Sequence, residues 1–351
     1  MEVDEWSLFL DLTAEDMKMA SQVYPQHLEP GATLGVIATS TPIDVAGDAL
    51  VEVGFDRLRG HGFELVEAAN CRKRWGHTAG TIQERVDALH QFFVDPNIDG
   101  IISFWGGMQS HQLLEYLDFE LVAANPKVLV GYSDLTALTN GITARTGLVT
   151  YSGPSVVTFA KPTQFEYSWR WFEEVLMNDG DELRFEASPV CSDNVWYERD
   201  DRAMLEREAP GWRCYRKGIA EGPIMGGNFG TLLLLAATPY WPSMEGRILF
   251  VEEDEVESPA TIDRMFVQAR QMGVFDDIAG LVVGRFPASV GFSDDDSLAM
   301  ILDDALRGYE FPVMVDVDFG HTDPRMTFPL GVGCRMDAQA LTLALVEPWI
   351  R

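Results

Sequence analysis

The sequence is short of positive charge. Its 351 residues hold 26 Lys and Arg against 55 Asp and Glu, a net charge of −29, and only five of the cations are Lys. A field of that sign argues against a nucleic-acid polymer or an anionic membrane surface as the main partner. It does not exclude a small nucleotide-bearing ligand, because one pocket can differ from the whole. The plain reading of the charge is a solubility trait. Cysteine is equally scarce. Cys71, Cys191, Cys214 and Cys334 are scattered without a Cys-x-x-Cys spacing, which speaks against a disulfide framework or zinc knuckle and for reduced thiols in a cytoplasm. Long apolar runs are missing as well. The longest, Leu232 to Ala237, is far below the roughly 20 residues a spanning helix needs. Met1-Glu2-Val3-Asp4-Glu5 has neither the basic start nor the apolar core of a secretory signal. No membrane partner, no bound metal and no cofactor is expected.

What is present supports a large core: 46% of residues are hydrophobic and 11% aromatic, in a chain long enough for one large or two ordinary domains. Residues 1–30 read as an acidic leader with a short helix around Ala14 to Val23. From Gly31 onward, short apolar runs alternate with helical periodicity. Strands are expected at Thr33–Ala38, Glu64–Ala68, Ile98–Phe104 and Val128–Val130. The intervening helices are expected at Val45–Arg59, Thr81–Phe93, Ser110–Tyr116 and Leu135–Arg145. This alternation implies a doubly wound, mostly parallel sheet over 31–165. Residues 166–215 are rich in Trp and acids with little periodicity and read as a linker and substrate loop. A second α/β unit over 216–351 has strands at Arg247–Val251, Gly280–Val283 and Val313–Val317 and a hairpin over Cys334–Val346. Its helices are expected at Thr231–Ala237, Ala260–Met272 and Ser297–Arg307. Ser258-Pro259 supplies an N-cap and first-turn proline for the second of these.

Three apolar strands end at a residue able to do chemistry. Lys127 to Tyr132 runs into Ser133, Arg247 to Val251 into Glu252, and Val313 to Gly320 into His321. Ligands of parallel α/β sheets sit beyond the carboxyl ends of strands. A serine hydroxyl becomes a nucleophile when a base takes its proton; His321 is the candidate base and Glu252 the group that orients it. Glu253, next in the run Glu252-Glu253-Asp254-Glu255, is the competing choice. The backbone N–H of Asp134, at the start of the helix after Ser133, is a candidate oxyanion donor. The turn Gly106-Gly107 can supply a second N–H, that of Gly107. Each signal alone has a plain alternative. Ser133 can be a helix N-cap, Glu252 part of a solvated acidic loop, and Gly106-Gly107 an ordinary turn.

Together the motifs resemble a known group. Phe104-Trp-Gly-Gly-Met-Gln-Ser-His, Asn125-Pro-Lys-Val-Leu-Val-Gly-Tyr-Ser-Asp-Leu-Thr-Ala137, Glu221-Gly-Pro-Ile-Met-Gly-Gly-Asn228, Ile248-Leu-Phe-Val-Glu252 and Phe319-Gly-His-Thr322 are similar, in order, to the LD-carboxypeptidase serine peptidases and their microcin-immunity branch. The likeness starts near residue 30. It implies a Ser–Glu–His triad at Ser133, Glu252 and His321, a second α/β domain of the swivelling type carrying Glu and His, a homodimer, and metal-free cleavage of an amide. The substrate so implied is a small peptide or a peptidyl- or aminoacyl-nucleotide conjugate; the alternative is a murein tetrapeptide that loses its terminal D-alanine. Gly106, Ser110 and Trp196 are the substrate contacts that go with it, Trp196 by stacking on a nucleobase, with Tyr197 as the other candidate. Two departures stand out: Ser152 before Gly153-Pro154, where many members have His or Tyr, and the heavy acidic run after Glu252. Further readings are an α/β-hydrolase-like esterase, whose Gly-x-Ser-x-Gly motif has Leu135 at its last position here, and a non-catalytic ligand-binding protein.

Overall fold

A strand whose residues are all apolar has to be covered on both faces, which is the condition inside a parallel sheet flanked by helices. In the computed structural model, which describes residues 21–199 and 201–351, the expected apolar runs take that place. The strands are β1 (Thr33–Ile37), β2 (Glu64–Glu67), β3 (Gly100–Ser103), β4 (Val128–Gly131), β5 (Tyr151–Ser152), β6 (Leu183–Arg184), β7 (Val190–Cys191), β8 (Arg207–Glu208), β9 (Arg213–Arg216), β10 (Ile219–Asn228), β11 (Ile248–Glu252), β12 (Gly280–Gly284), β13 (Val313–Val317), β14 (Phe328–Pro329), β15 (Gly333–Asp337) and β16 (Thr342–Leu345). Every residue of β3, β4, β11 and β12 is buried.

The first sheet has the order β14-β5-β4-β3-β1-β2. Strands β1 to β5 are parallel and β14 is antiparallel to β5. The second has the order β6-β16-β15-β10-β11-β12-β13-β9, with a parallel centre β10-β11-β12-β13 and antiparallel flanks. This is the expected two-part α/β architecture. One connection goes beyond it. After β13 the chain leaves the second sheet, passes through His321, joins the first sheet as β14, and returns to the second as β15. The two sheets are therefore laced together by the segment that carries the histidine.

Most elements lie where the sequence puts them, within a few residues. The helix Ile82–Val94 starts with a capping box between Thr81 and Glu84, which satisfies two otherwise unpaired N–H groups. Ser258 and Pro259 cap and open the helix Pro259–Gln271. Gly47 splits the expected helix at Val45–Arg59 into a 3-10 turn Ile43–Ala46 and the helix Asp48–Gly60. Ser110–Tyr116 is 3-10 rather than α, and the helix expected at Thr231–Ala237 is the earlier Phe229–Leu233, capped by Asn228. The helix expected at Ala14–Val23 falls almost wholly outside the described residues; Val23 itself forms a bridge with Leu148. The clearest correction concerns 166–215. Its start is a regular helix, Phe165–Leu176, which buries Ser168, Trp171, Phe172, Val175 and Leu176. Those positions recur every three or four residues, so the helical signal is present but is masked by the tryptophans and acids around it.

Trp171 is fully buried against Phe185 and Tyr167. Truncating a buried Trp removes its transfer free energy and leaves a cavity, so Trp171→Ala is expected to cost about 3–5 kcal/mol in urea denaturation. A loss under about 1 kcal/mol, outside the usual range for core aromatics, would contradict this packing.

Candidate active site

Strand β4 ends at Gly131, Tyr132 is extended, and Ser133 turns back sharply with φ +62. That left-handed conformation costs a residue with a Cβ about 1–3 kcal/mol and has to be held by its surroundings. A 3-10 turn Ser133–Leu135 then runs into the helix Thr136–Thr146. The N-cap alternative for Ser133 does not hold: Leu135 occupies the cap of that helix, without a side-chain bond. The Ser133 hydroxyl instead donates to His321 Nε2 at 3.0 Å. His321 Nδ1 donates to Glu252 Oε2 at 2.7 Å. A carboxylate oxygen only accepts, so this pairing places the imidazole proton on Nδ1 and leaves Nε2 free to accept from serine.

Glu252 is the last residue of β11 and Glu253 the first after it, so their side chains leave in opposite directions. Glu252 is 2% exposed and faces His321. Glu253 accepts from the Gly230 N–H and from Asn228 Nδ2. The choice between the two acids is thus made by strand alternation. Room for Glu252 comes from Gly320, where a Cβ would lie 2.4 Å from Glu252 Oε2. Burial lowers the His321 pKa, but the Glu252 carboxylate outweighs it and leaves the imidazole above its ordinary value. Burial, and then the charge of Glu252, pushes Glu253 up to about 8.

The turn after β3 brings Gly106 against the serine. A Cβ on Gly106 would sit 2.9 Å from Ser133 Oγ and 3.8 Å from the Asp134 nitrogen. The turn is tethered to the segment after β1: Ser40 Oγ accepts the N–H groups of Met108 and Gln109, both at 3.0 Å. Asp134 turns its carboxylate inward, where it accepts from the Ser110 N–H at 3.0 Å and the Ser110 hydroxyl at 2.5 Å. Ser110 is therefore not on the cavity wall. It is 0% exposed, also bonds Thr39, and steadies Asp134 from beneath; the expected direct substrate contact is corrected to a supporting one.

A cavity of about 180 Å³ opens over Ser133 and His321, with Gly106 and Gly107 on its rim. Part of its roof is the loop Asp193–Tyr197. That loop is pinned on both sides of the histidine. Asp318 accepts from the Ser188 N–H, Trp212 Nε1 and Arg285 Nη2, at 2.9, 2.8 and 2.6 Å. Ser192 and Asp323 exchange backbone hydrogen bonds of 2.9 and 2.7 Å. Trp196 lines the cavity but is 4% exposed and packs edge-on against Tyr197. Tyr197 and Trp105, half-buried and themselves edge-to-face at 5.2 Å, offer the more open aromatic surface. The floor carries groups the sequence reading did not single out, Lys161, Asp323 and Arg325. Among the described residues, Glu253, Asp254 and Glu257 bring carboxylate oxygens within 4.8 Å of one another, but Glu253 is already committed to Gly230 and Asn228. The four cysteines are free thiols, and no described helix is long and apolar enough to cross a membrane.

A direct check on the His321–Glu252 pair is a histidine titration by NMR. His321 is expected to titrate above the ordinary histidine value. Glu252→Gln removes the largest raising influence and leaves burial and Arg325, which lower it, against the smaller raising effect of Asp254, so its titration should move to lower pH. An unchanged or raised midpoint in the variant would contradict the pairing.

Comparison with known proteins identifies the family of the chain. A model of the LD-carboxypeptidase N-terminal domain matches residues 34–153, and one of the LD-carboxypeptidase C-terminal domain matches residues 221–336. The chain is 33% identical over 318 residues to the putative carboxypeptidase YocD of Bacillus subtilis, covering 90% of this chain and 96% of that one. It is 30% identical over 341 residues to the microcin C7 self-immunity protein MccF of Escherichia coli, covering 95% and 99%. Among solved structures, an MccF-like protein from Bacillus anthracis superposes with a TM-score of 0.88 at 31% identity, over 93% of this chain and 99% of that one. MccF in complex with glutamyl sulfamoyl guanosine superposes with a TM-score of 0.87 at 29% identity, again over 93% and 99%. The chain belongs to the LD-carboxypeptidase family, which includes the MccF-like proteins, and is a serine-type carboxypeptidase or amidohydrolase.

Proposed function

We propose that Ser133, His321 and Glu252 are the catalytic triad of a serine amidase, and that its substrate is an amide joining an aminoacyl or peptidyl part to a nucleotide-like part. The observation that carries the reading is the hydrogen-bond chain from Ser133 through His321 to Glu252, made by residues from two different sheets. His321 Nε2 takes the Ser133 proton as Oγ attacks the amide carbonyl. The oxygen's developing negative charge is met by the N–H groups of Asp134 and Gly107, each such donor being worth about 3–4 kcal/mol of barrier. The C–N bond breaks, His321 gives its proton to the leaving nitrogen, and the acyl group stays on Ser133. Water, deprotonated by His321 Nε2, then attacks the acyl carbonyl; the bond to Oγ breaks, the acid is released, and His321 returns the proton to Ser133.

Two observations favour the nucleotide-conjugate reading. MccF is described with glutamyl sulfamoyl guanosine bound. The half-buried rings of Trp105 and Tyr197 line the cavity, backed by the buried Trp196, and stacking on a base contributes roughly 1–3 kcal/mol. The second reading, removal of the terminal D-alanine from a murein tetrapeptide, is favoured by the cations Lys161 and Arg325 in the same cavity. The proposal includes the homodimer, with residues 31–165 carrying the nucleophile and 216–351 carrying its acid–base pair, and a cytoplasmic setting.

Mass spectrometry of two incubations separates the substrate readings, one with an aminoacyl-sulfamoyl adenosine and one with murein tetrapeptide. Cleavage of the first is expected; cleavage of the tetrapeptide alone would replace the first reading by the second. Ser133→Ala should slow turnover at least about 10³-fold with unchanged circular dichroism, and full activity in that variant would contradict the triad. EDTA should leave the rate unchanged; loss restored by a divalent ion would point to a metal-dependent step.

A further inference from the structure

The helix Ile82–Val94 turns Arg85, Val86, Ala88, Leu89, Phe92 and Phe93 toward the core. A permanent cation therefore stands on an apolar face, where a nonpolar side chain is the rule. Arg85 is 2% exposed. Its Nη1 donates to Thr39 O at 2.7 Å and to Gln109 O at 3.4 Å, and its Nη2 to Gln112 Oε1 at 2.9 Å. None of these three acceptors is charged. A buried cation without an anion is costly, and its complement lies one hydrogen bond further on, in Asp134, which is 1% exposed. Two paths join them. The peptide group between Gln109 and Ser110 offers its oxygen to Arg85 and its N–H to the Asp134 carboxylate at 3.0 Å. Thr39, whose carbonyl binds Arg85, has its hydroxyl 2.7 Å from that of Ser110. The Ser110 hydroxyl gives its proton to Asp134 at 2.5 Å, so Thr39 is the donor to Ser110.

We infer that Arg85 is a positioning residue of the oxyanion site: it offsets the Asp134 carboxylate beneath the site and holds the turn that carries the Gly107 N–H. The inference rests on Ser133 being the nucleophile, as above. Asp134 is the residue whose own N–H meets the substrate oxygen. Its carboxylate, left without an offset, would oppose the negative charge that develops there. Burial holds the Asp134 carboxyl above its ordinary value, against the bonds from Ser110. Burial also holds Arg85 below its own, against the charge of Asp134. Each charge is thus the other's support, and removing Arg85 leaves Asp134 with burial alone to answer to. The mechanical part follows from the chain order. Met108 and Gln109, whose N–H groups bond Ser40, separate Gly107 from the peptide that Arg85 holds. The guanidinium grips Thr39 on the segment after β1 and Gln109 on the segment after β3, so it joins the two where they pass under Gly107. A planar fork reaches several acceptors at once, which an ammonium on a flexible stem does not reproduce. A shift of 1 Å in a reacting geometry can cost about 10²-fold in rate.

Steady-state kinetics on aminoacyl-sulfamoyl adenosine or murein tetrapeptide, whichever the wild type cleaves, tests the role. Arg85→Met is expected to lower kcat about 10²-fold with little change in KM, because the oxyanion donors act fully only once the carbonyl has become tetrahedral. Arg85→Lys, which keeps the charge but not the fork, should retain part of the rate. Asp134→Asn added to Arg85→Met should regain about tenfold in kcat. It removes the charge that is no longer offset and keeps an acceptor for the Ser110 N–H. A merely structural arginine predicts no such recovery. A double variant as slow as Arg85→Met or slower, or an unchanged kcat in Arg85→Met at whatever loss of stability, would overturn the inference. Should Arg85→Met fail to fold, Gln112→Leu frees one arm of the guanidinium and should lower kcat with KM kept; an unchanged kcat there overturns it. Hydrolysis that survives Ser133→Ala would instead remove the nucleophile assignment, and the oxyanion site with it, whatever the Arg85 variants do.

Discussion

The site depends on one seam of hydrogen bonds between the two sheets. Ser133 belongs to the first sheet and Glu252 to the second, and nothing covalent sets their separation. The Asn140 side chain, one turn into the nucleophile helix, donates to Gly226 O at 2.9 Å and accepts from Gly226 N at 3.0 Å. Thr136 Oγ1 accepts from Asn228 N at 3.1 Å. Gly226 and Asn228 lie in β10, whose neighbour β11 ends at Glu252. An amide that satisfies both the N–H and the C=O of one residue locks register as a β-ladder does, and these groups are buried, so breaking one would leave polar atoms unpaired. The other half of the lock is the crossing of the chain from β13 through His321 to β14. The histidine is held by strands of both sheets at once, and so meets a serine from one and a carboxylate from the other.

Around this frame the acidic character of the chain is sorted by position rather than tempered by composition. The Glu252 carboxylate is dedicated to His321, Glu253 to backbone and amide donors on the opposite side of the strand, and Asp134 to Ser110 below the oxyanion turn. The Asp318 carboxylate is taken by Ser188, Trp212 and Arg285, and that of Asp323 by Lys161 and Arg325. Four of the chain's acids, Asp193, Asp254, Glu255 and Asp323, line the cavity together with Lys161 and Arg325.

The sequence made the strand ends legible, because parallel strands buried on both faces read as unbroken apolar runs and their last residues are where sites form. Ser133, Glu252 and His321 were visible for that reason, and the family motifs around them agreed. The motif position of Ser110 says nothing about which way its side chain points; here it is buried and bonds the Asp134 carboxylate. The helix Phe165–Leu176 was hidden by composition, although its buried positions keep helical spacing. Asn140, Lys161, Asp323 and Arg325 left no local mark at all. Their importance comes from partners 86 and 162 residues away in the chain for Asn140 and Lys161, and only folding brings such groups together.

If Ser133, held in its strained turn, is the nucleophile, it forms a covalent bond to the acyl part of its substrate. Intact-protein and peptide mass spectrometry on samples quenched during turnover tests it most directly. The account predicts an acyl adduct on the peptide containing Ser133, accumulating when the second step is slowed by low water activity and absent after His321→Ala. Turnover with no adduct under those conditions, or an adduct on another residue, would contradict it.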